Sequence, residues 1–104
     1  MKRLLICCLF GNTAMTLAKK MQIVADANRY QIQISGVGVD GFASVAPAFD
    51  CFLVAPHIQY KLPELKKLIK EGQSIAIIES YPFASMNAEK VLSYAVDRLS
   101  ELTD

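Results

Sequence analysis

Residues 4 to 21 (LLICCLFGNTAMTLAKKM) constrain the fold more than any other stretch, because they combine a strand, a tight loop and a helix. The apolar run at the start predicts a short strand, with Cys7 and Cys8 at its end. Gly11 marks the loop, and the apolar spacing after it predicts an amphipathic helix over residues 13–27. A strand that leads directly into a helix is typical of parallel α/β folds.

The rest of the chain continues this alternation. Three further strands are predicted over residues 30–35, 50–54 and 74–78. In the second of these, every residue after Asp50 is apolar, as in a strand covered on both faces. The pattern predicts an α/β fold in which residues 1–104 form a single domain. We expect a three-layer α/β/α sandwich with a four-stranded parallel sheet in the order 2-1-3-4.

The predicted helices and loops separate these strands. A short helix is expected over residues 42–45, a longer one over residues 63–72 and a last one beginning at the capping residue Asn87. Loops are expected over residues 55–59 and 80–85. Ligand sites in such sheets lie beyond the carboxyl ends of the strands. If strands 1 and 3 are neighbours, His57 and Gln59 lie close to Cys8.

The start of the first long helix suggests chemistry for Cys8. A helix N-terminus offers unpaired N–H groups and the positive end of a dipole, so it favours a phosphate or a thiolate. We therefore expect Cys8 to be a nucleophile that carries a phosphoryl group. The alternative is that Cys8 is a buried core cysteine. The predicted phosphate-binding residues are the six that follow it: Leu9, Phe10, Gly11, Asn12, Thr13 and Ala14.

The loop lacks charged residues, and this separates two possible activities. No Arg, Lys, Asp or Glu occurs between Cys8 and Met15. A cysteine phosphatase or an arsenate-reductase-like enzyme needs an Arg to hold the phosphate, and the phosphatase also needs an acid for the leaving oxygen. Without them, a phosphocysteine would persist until a partner takes the phosphoryl group. The pattern therefore favours a carrier over the enzyme. A redox or regulatory role for the adjacent Cys7 and Cys8 is a third, weaker alternative, because no C-x-x-C is present.

Composition excludes several other classes. The net charge is +1, which gives no electrostatic reason to bind nucleic acid. No apolar run is long enough for a membrane span, so we expect no membrane insertion. Three cysteines, two of them adjacent, make a poor disulfide framework and suit a reducing cytoplasm. With a single His and no metal-ligand spacing, we expect neither a metal nor a cofactor.

Two motifs resemble a known family. Cys8 with Gly11 and Thr13, followed by a helix with the pair Lys20-Met21, resembles the cysteine-phosphorylated IIB component of lactose/cellobiose-type sugar phosphotransferase systems. The second motif is residues 52–64, FLVAPHIQYKLPE, which resembles the hydrophobic strand, the small-Pro-Gln turn and the Leu-Pro-Glu of that family. Length and element order also fit, so the resemblance covers essentially the whole chain.

The resemblance implies a mechanism and partners. A phosphohistidine on a IIA protein would give its phosphoryl group to Cys8, and a sugar bound in the IIC membrane permease would then accept it during uptake. The acceptor would be a disaccharide of the cellobiose or lactose type. The chain would be cytoplasmic and would meet the membrane through its IIC partner.

The sequence also departs from the family pattern. The loop keeps a single hydroxyl, on Thr13, where family members have two or three. His57 replaces the usual Gln of the turn; it either contacts the phosphoryl group or simply faces solvent. Leu9, Phe10 and Met15 either form an apolar docking patch or belong to the core. We expect Cys7 and Cys51 to be core cysteines, because strand alternation turns Cys7 away from Cys8.

Overall fold

The computed structural model describes the backbone of residues 1–103 and the side chains as far as Leu99. The strands are β1 (Lys2–Cys8), β2 (Ile32–Gly38), β3 (Cys51–Val54) and β4 (Ser74–Ile77). The helices are α1 (Asn12–Ala27), α2 (Val39–Val45), α3 (Leu62–Lys66), α4 (Ser80–Ala84) and α5 (Ala88–Thr103). Two 3-10 segments, Ala46–Ala48 and Pro56–Lys61, lie on either side of β3.

The four strands form one parallel sheet in the order β2-β1-β3-β4, which confirms the predicted fold class and strand order. The chain moves outward from β1 to β2 and then crosses back to β3 and β4. Right-handed crossovers therefore place α1 on one face of the sheet and α2 and α3 on the other. Helix α5 packs beside α1, so both faces are covered.

The core lies around the two central strands. All four residues of β3 and the last five of β1 are buried. Phe42 of α2 and Phe52 of β3 are fully buried, and their ring centroids lie 5.1 Å apart. Helix α5 turns Val91, Leu92 and Ala95 toward the sheet, as its periodicity predicts. Leu102 continues that stripe but lies beyond the described side chains.

Several local predictions differ from the structure. Strand β2 continues through Gly36 and Gly38, which were expected to end it. The helix predicted over residues 63–72 ends at Lys66. Beyond Lys66 the chain is held instead by the side chain of Gln73. This side chain accepts a hydrogen bond from the Lys70 amide and donates to the carbonyls of Ala46 and Phe49. Side-chain hydrogen bonds of this kind compete with the backbone bonds of a helix.

The segments predicted as loops are partly helical. Residues 55–59 enter the second 3-10 segment, and residues 80–85 contain α4. Proline near the start of each segment sets φ close to the helical value, which favours such short turns. Within residues 1–103, no helix combines the length and the apolarity that crossing a lipid bilayer requires.

Candidate functional site

The side chain of Cys8 lies at the carboxyl end of β1, under the loop that leads into α1. Its Sγ accepts hydrogen bonds from the backbone amides of Gly11, at 3.1 Å, and Ala14, at 3.3 Å. The side chain is only 3% exposed. Two N–H groups that converge on one sulfur stabilise negative charge there, and the N-terminus of α1 adds the positive end of its dipole.

Further amides of the loop are available to an anion. The first hydrogen bond of α1 runs from the Met15 amide to the Gly11 carbonyl, at 2.8 Å. The amides of Asn12 and Thr13 precede it, and among the described residues they donate to no acceptor. Both residues are exposed. Together with the amides of Gly11 and Ala14, they give the loop the donors that three phosphoryl oxygens require.

Gly11 makes this loop geometrically possible. Its φ is +91°, in the region that residues with a side chain rarely adopt. A Cβ atom on Gly11 would also lie 2.9 Å from the backbone nitrogen of Gly38. Both the conformation and the close approach to β2 therefore require glycine at this position.

Two glycines of β2, Gly36 and Gly38, form a floor beneath the loop, although they lie beyond residue 35, where that strand is predicted to end. A Cβ atom on Gly36 would lie 2.5 Å from the carbonyl carbon of Ala14, and one on Gly38 would lie 2.9 Å from that of Phe10. Such distances leave no room for a side chain. The G-V-G spacing is visible in the sequence, but it does not reveal which backbone segment the glycines approach.

Cys7 and Cys51 occupy a different environment. Both side chains are fully buried. Burial, together with the nearby charge of Cys8, raises the pKa of Cys7 to about 12, and burial raises the pKa of Cys51 to about 11. A thiol with such a pKa is protonated near neutral pH and is a poor nucleophile. These properties agree with the expectation that both are core cysteines.

His57 and Gln59 follow β3, which is the neighbour of β1 in the sheet. The amide of Ala55 donates to the carbonyl of Cys7 at 2.8 Å, so the second 3-10 segment begins beside the cysteine pair. Both side chains are exposed. The His57 ring packs near that of Phe83, with centroids 5.6 Å apart. Within the described part of the chain, neither side chain hydrogen bonds to Cys8 or to its loop.

The residues beside Cys8 create an apolar surface. Phe10 is 84% exposed and Met15 is 50% exposed, whereas Leu9 is half-buried and packs against the core. Of the three residues proposed as a docking patch, two therefore face solvent. Exposed apolar side chains that together form a patch mark a protein contact surface, and Phe10 and Met15 are the two candidates for such a patch here.

The chemistry that this site offers depends on backbone donors. Between Cys8 and Met15 no side chain is charged. Among the described residues, no group of three or more His, Cys, Asp or Glu side chains is placed to hold a metal ion. The geometry therefore suits an anion that is held by N–H groups and covalently attached to the sulfur.

No protein-family model matches the chain. No curated protein matches it by sequence either. Several solved structures are similar to it, among them two that match along most of their length. The lactose-specific IIB component domain of the phosphoenolpyruvate:carbohydrate phosphotransferase system from Streptococcus pneumoniae has a TM-score of 0.81 and 15% identity, over 92% of this chain and 95% of that one.

The second similar structure is the cellobiose-specific phosphotransferase IIB component protein from Borrelia burgdorferi. It has a TM-score of 0.74 and 26% identity, over 92% of this chain and 89% of the other. The likeness to the lactose-specific domain shows a shared fold. The cellobiose-specific component adds sequence identity to it, and the two comparisons confirm the resemblance to lactose/cellobiose-type IIB components.

Proposed function

We propose that this chain is a phosphoryl carrier of the IIB type and that Cys8 bears the phosphoryl group. The observation that carries the proposal is the pair of backbone N–H groups at 3.1 and 3.3 Å from Sγ of Cys8, at the N-terminus of α1. The comparisons support a role in a sugar phosphotransferase system. The six residues Leu9, Phe10, Gly11, Asn12, Thr13 and Ala14 form the proposed phosphate-binding loop.

The first transfer loads the carrier. Sγ of Cys8, as a thiolate, attacks the phosphorus atom of a phosphohistidine on a IIA protein. The S–P bond forms while the P–N bond breaks, and the histidine leaves as neutral imidazole because the other nitrogen of the phosphohistidine ring already carries a proton. The loop amides, including those of Asn12 and Thr13, then bind the phosphoryl oxygens. In-line phosphoryl transfer needs positioning and charge stabilisation more than covalent help from the protein, and backbone donors supply both.

The second transfer unloads the carrier. A hydroxyl of a disaccharide of the cellobiose or lactose type, held by a IIC membrane permease, attacks the phosphorus. The O–P bond forms, the S–P bond breaks, and Cys8 leaves as a thiolate. No charged side chain lies between Cys8 and Met15, so the permease supplies the base that removes the hydroxyl proton. The activity is thus that of a protein-phosphohistidine–sugar phosphotransferase, working in the cytoplasm at the surface of its membrane partner.

The exposed side chains of Phe10 and Met15 contribute the apolar contact that both partners use in turn. In the sequence they stand on either side of Asn12 and Thr13, which are also exposed. His57 and Gln59 lie at the neighbouring strand end, where they contact a docked partner or the phosphoryl group. A phosphatase role is less favoured, because the loop has no Arg to hold a phosphate monoester.

Intact mass spectrometry tests the proposal. The chain is incubated with phosphoenolpyruvate, the general phosphotransferase proteins and a IIA partner. We expect one added phosphoryl group on the parent protein, on Cys7→Ser and on Cys51→Ser, and none on Cys8→Ser. If the added phosphoryl group were absent only from Cys7→Ser, Cys7 would be the phosphorylated residue. No label on any form, with a IIA protein shown to be phosphorylated, would refute the carrier and lead to an aryl phosphate assay.

A further inference from the structure

The two edge strands of the sheet differ in whether their outward-facing backbone groups have hydrogen-bond partners. At the β2 edge, the side-chain amide of Gln22 occupies the place of a neighbouring strand. Its Oε1 accepts a hydrogen bond from the Ile34 amide at 2.8 Å, and its Nε2 donates to the Ile32 carbonyl at 3.0 Å. This contact protects the β2 edge against pairing with another strand.

The β4 edge has no such protection. The amides of Ser74 and Ile78 donate to carbonyls on the β3 side, at 3.1 and 2.9 Å. By the alternation of a strand, the N–H and C=O groups of Ile75 and Ile77 therefore point away from the sheet. Within the described residues, these groups have no hydrogen-bond partner. The strand sequence Ser-Ile-Ala-Ile contains no Lys, Pro or other residue that usually discourages edge pairing.

We propose that β4 pairs in antiparallel fashion with β4 of a second copy of this chain. In the register that uses every free group, Ile75 lies opposite Ile77 of the second copy, and Ile77 opposite its Ile75. Each of these pairs exchanges two backbone hydrogen bonds, and Ala76 lies on the two-fold axis. The result is a continuous eight-stranded sheet with no free edge at its centre.

Charges at the two ends of β4 fit this arrangement. At the start of the strand, Nη2 of Arg98 donates to Oγ of Ser74 at 3.0 Å, while its buried Nε has no partner among the described residues. At the other end, the exposed Glu79 borders a cavity of about 290 Å³, which is also lined by Pro82 and Tyr94. An antiparallel two-fold brings the start of one strand beside the end of the other. The dimer would therefore bring Arg98 of one copy and Glu79 of the other to the same end of the strand pair, and the two-fold axis repeats this arrangement at the opposite end.

The position of α5 is also compatible with the dimer. This helix contacts both β3 and β4. Because strands are spaced by ~4.8 Å, a helix centred over these two strands lies ~5 Å from the two-fold axis. The two α5 helices would then be ~10 Å apart, which is a normal distance for packed helices. The second copy thus extends the sheet without displacing a helix.

The dimer does not involve the Cys8 loop, so it is independent of the proposed carrier function. The two strands run in opposite directions, and the two Cys8 loops therefore lie at opposite ends of the long sheet. Each loop remains open to a partner protein.

Sedimentation velocity over a wide range of protein concentration tests the association. We expect a monomer–dimer equilibrium for the parent protein. Ile77→Pro removes one outward N–H from each copy and leaves the bonds to β3 intact, so it should raise the dissociation constant by about 30-fold. Ile77→Lys, which keeps the backbone unchanged, should also weaken the dimer. The matched control is Leu68→Lys, which replaces an apolar side chain that is 47% exposed outside β4 and should behave like the parent.

A cysteine placed on the two-fold axis tests the register. In Ala76→Cys the two Cα atoms belong to a non-hydrogen-bonded pair, ~4.5 Å apart, which is within the range of a disulfide. Oxidised glutathione should therefore link Ala76→Cys into dimers, whereas Gln33→Cys on the capped β2 edge should stay monomeric. If the parent protein is monomeric at every concentration, the proposal is overturned. The β4 edge would then be available for a strand of a different protein. Equal dimerisation of the parent and Ile77→Pro also overturns it.

Discussion

Cys7 and Cys8 are neighbours at the end of the same strand, yet the protein surrounds their sulfur atoms in opposite ways. Sγ of Cys8 accepts two backbone N–H groups, at 3.1 and 3.3 Å. Among the described residues, the only hydrogen-bond partner of Sγ of Cys7 is the Cys8 carbonyl, at 3.9 Å, and burial raises the pKa of Cys7 to about 12. The strand pleat turns consecutive side chains to opposite faces, so a single step along the chain separates a site for negative charge from an apolar core.

The difference shows that the loop, and not the cysteine itself, determines which of the two sulfur atoms lies beside backbone N–H donors. The amides that reach Cys8 belong to residues three and six positions further along the chain. These amides are held by the close packing of the loop on Gly36 and Gly38. A substitution that displaces the loop should remove the N–H donors from Sγ of Cys8 and leave it without them, as Cys7 is. A substitution confined to the face of Cys7 should leave the rate of phosphoryl transfer unchanged.

The largest effect is expected for Gly36→Ala. The added Cβ would lie 2.5 Å from the backbone of Ala14, so the amide that points at Cys8 must move. Because a misplacement of ~1 Å can cost ~100-fold in rate, we expect phosphoryl transfer from the IIA partner to slow by about that factor. Rapid-quench measurement of the transfer rate would show this. The matched control is Gly72→Ala, where φ is +92° but no atom lies within 4 Å of the added Cβ. It should cost about 1 kcal/mol of stability and leave the rate unchanged. Equal rates for parent and Gly36→Ala would contradict a positioning role for the glycine floor.

A second prediction concerns alkaline pH. The pKa of Cys7 is raised from 9.0 to about 12, so the folded state keeps a proton that the unfolded state loses above pH 9. Stability from this group is present below pH 9 and is lost as the pH rises toward 12, by about 1.4 kcal/mol per pH unit. Cys7→Ala should therefore reduce the slope of the unfolding free energy against pH, measured by urea titration under reducing conditions. Cys51→Ala provides a comparison, because its contribution should end near pH 11. A slope that neither variant changes would show that the two thiols do not remain protonated in the folded protein.

The smallest effect is expected for Thr13→Ala. Thr13 provides the only hydroxyl of the loop, but its side chain is exposed and the donors nearest to Sγ are backbone amides. The loss of one side-chain hydrogen bond costs about 1 kcal/mol, so transfer should fall only about fivefold. The lifetime of the phosphocysteine, followed by intact mass, would measure the same contribution in the loaded state. A decrease as large as that of Gly36→Ala would mean that the hydroxyl, rather than the backbone, dominates phosphate binding.

Local pattern was sufficient for most of the fold. Strand alternation also predicts that Cys7 and Cys8 face opposite sides of the sheet, and the assignment of the phosphoryl group to Cys8 stays a prediction. Alternating elements predict a parallel sheet, whereas the order 2-1-3-4 is an assumption that no residue records; the structure confirms it. The roles of Gly36, Gly38 and Gln73 were not predictable in this way. Each depends on a backbone segment that is distant in the sequence, and no periodicity records such an approach.

The enclosure of Cys8 has a consequence for the order of events in a carrier. A sulfur of a residue that is only 3% exposed presents very little surface to an approaching donor or acceptor. Donor and acceptor would then have to occupy the same volume, and no complex could hold both at once. The two partners would then compete for one binding site. An excess of unphosphorylated donor protein should slow phosphoryl transfer to the sugar, and a higher concentration of permease should restore the rate.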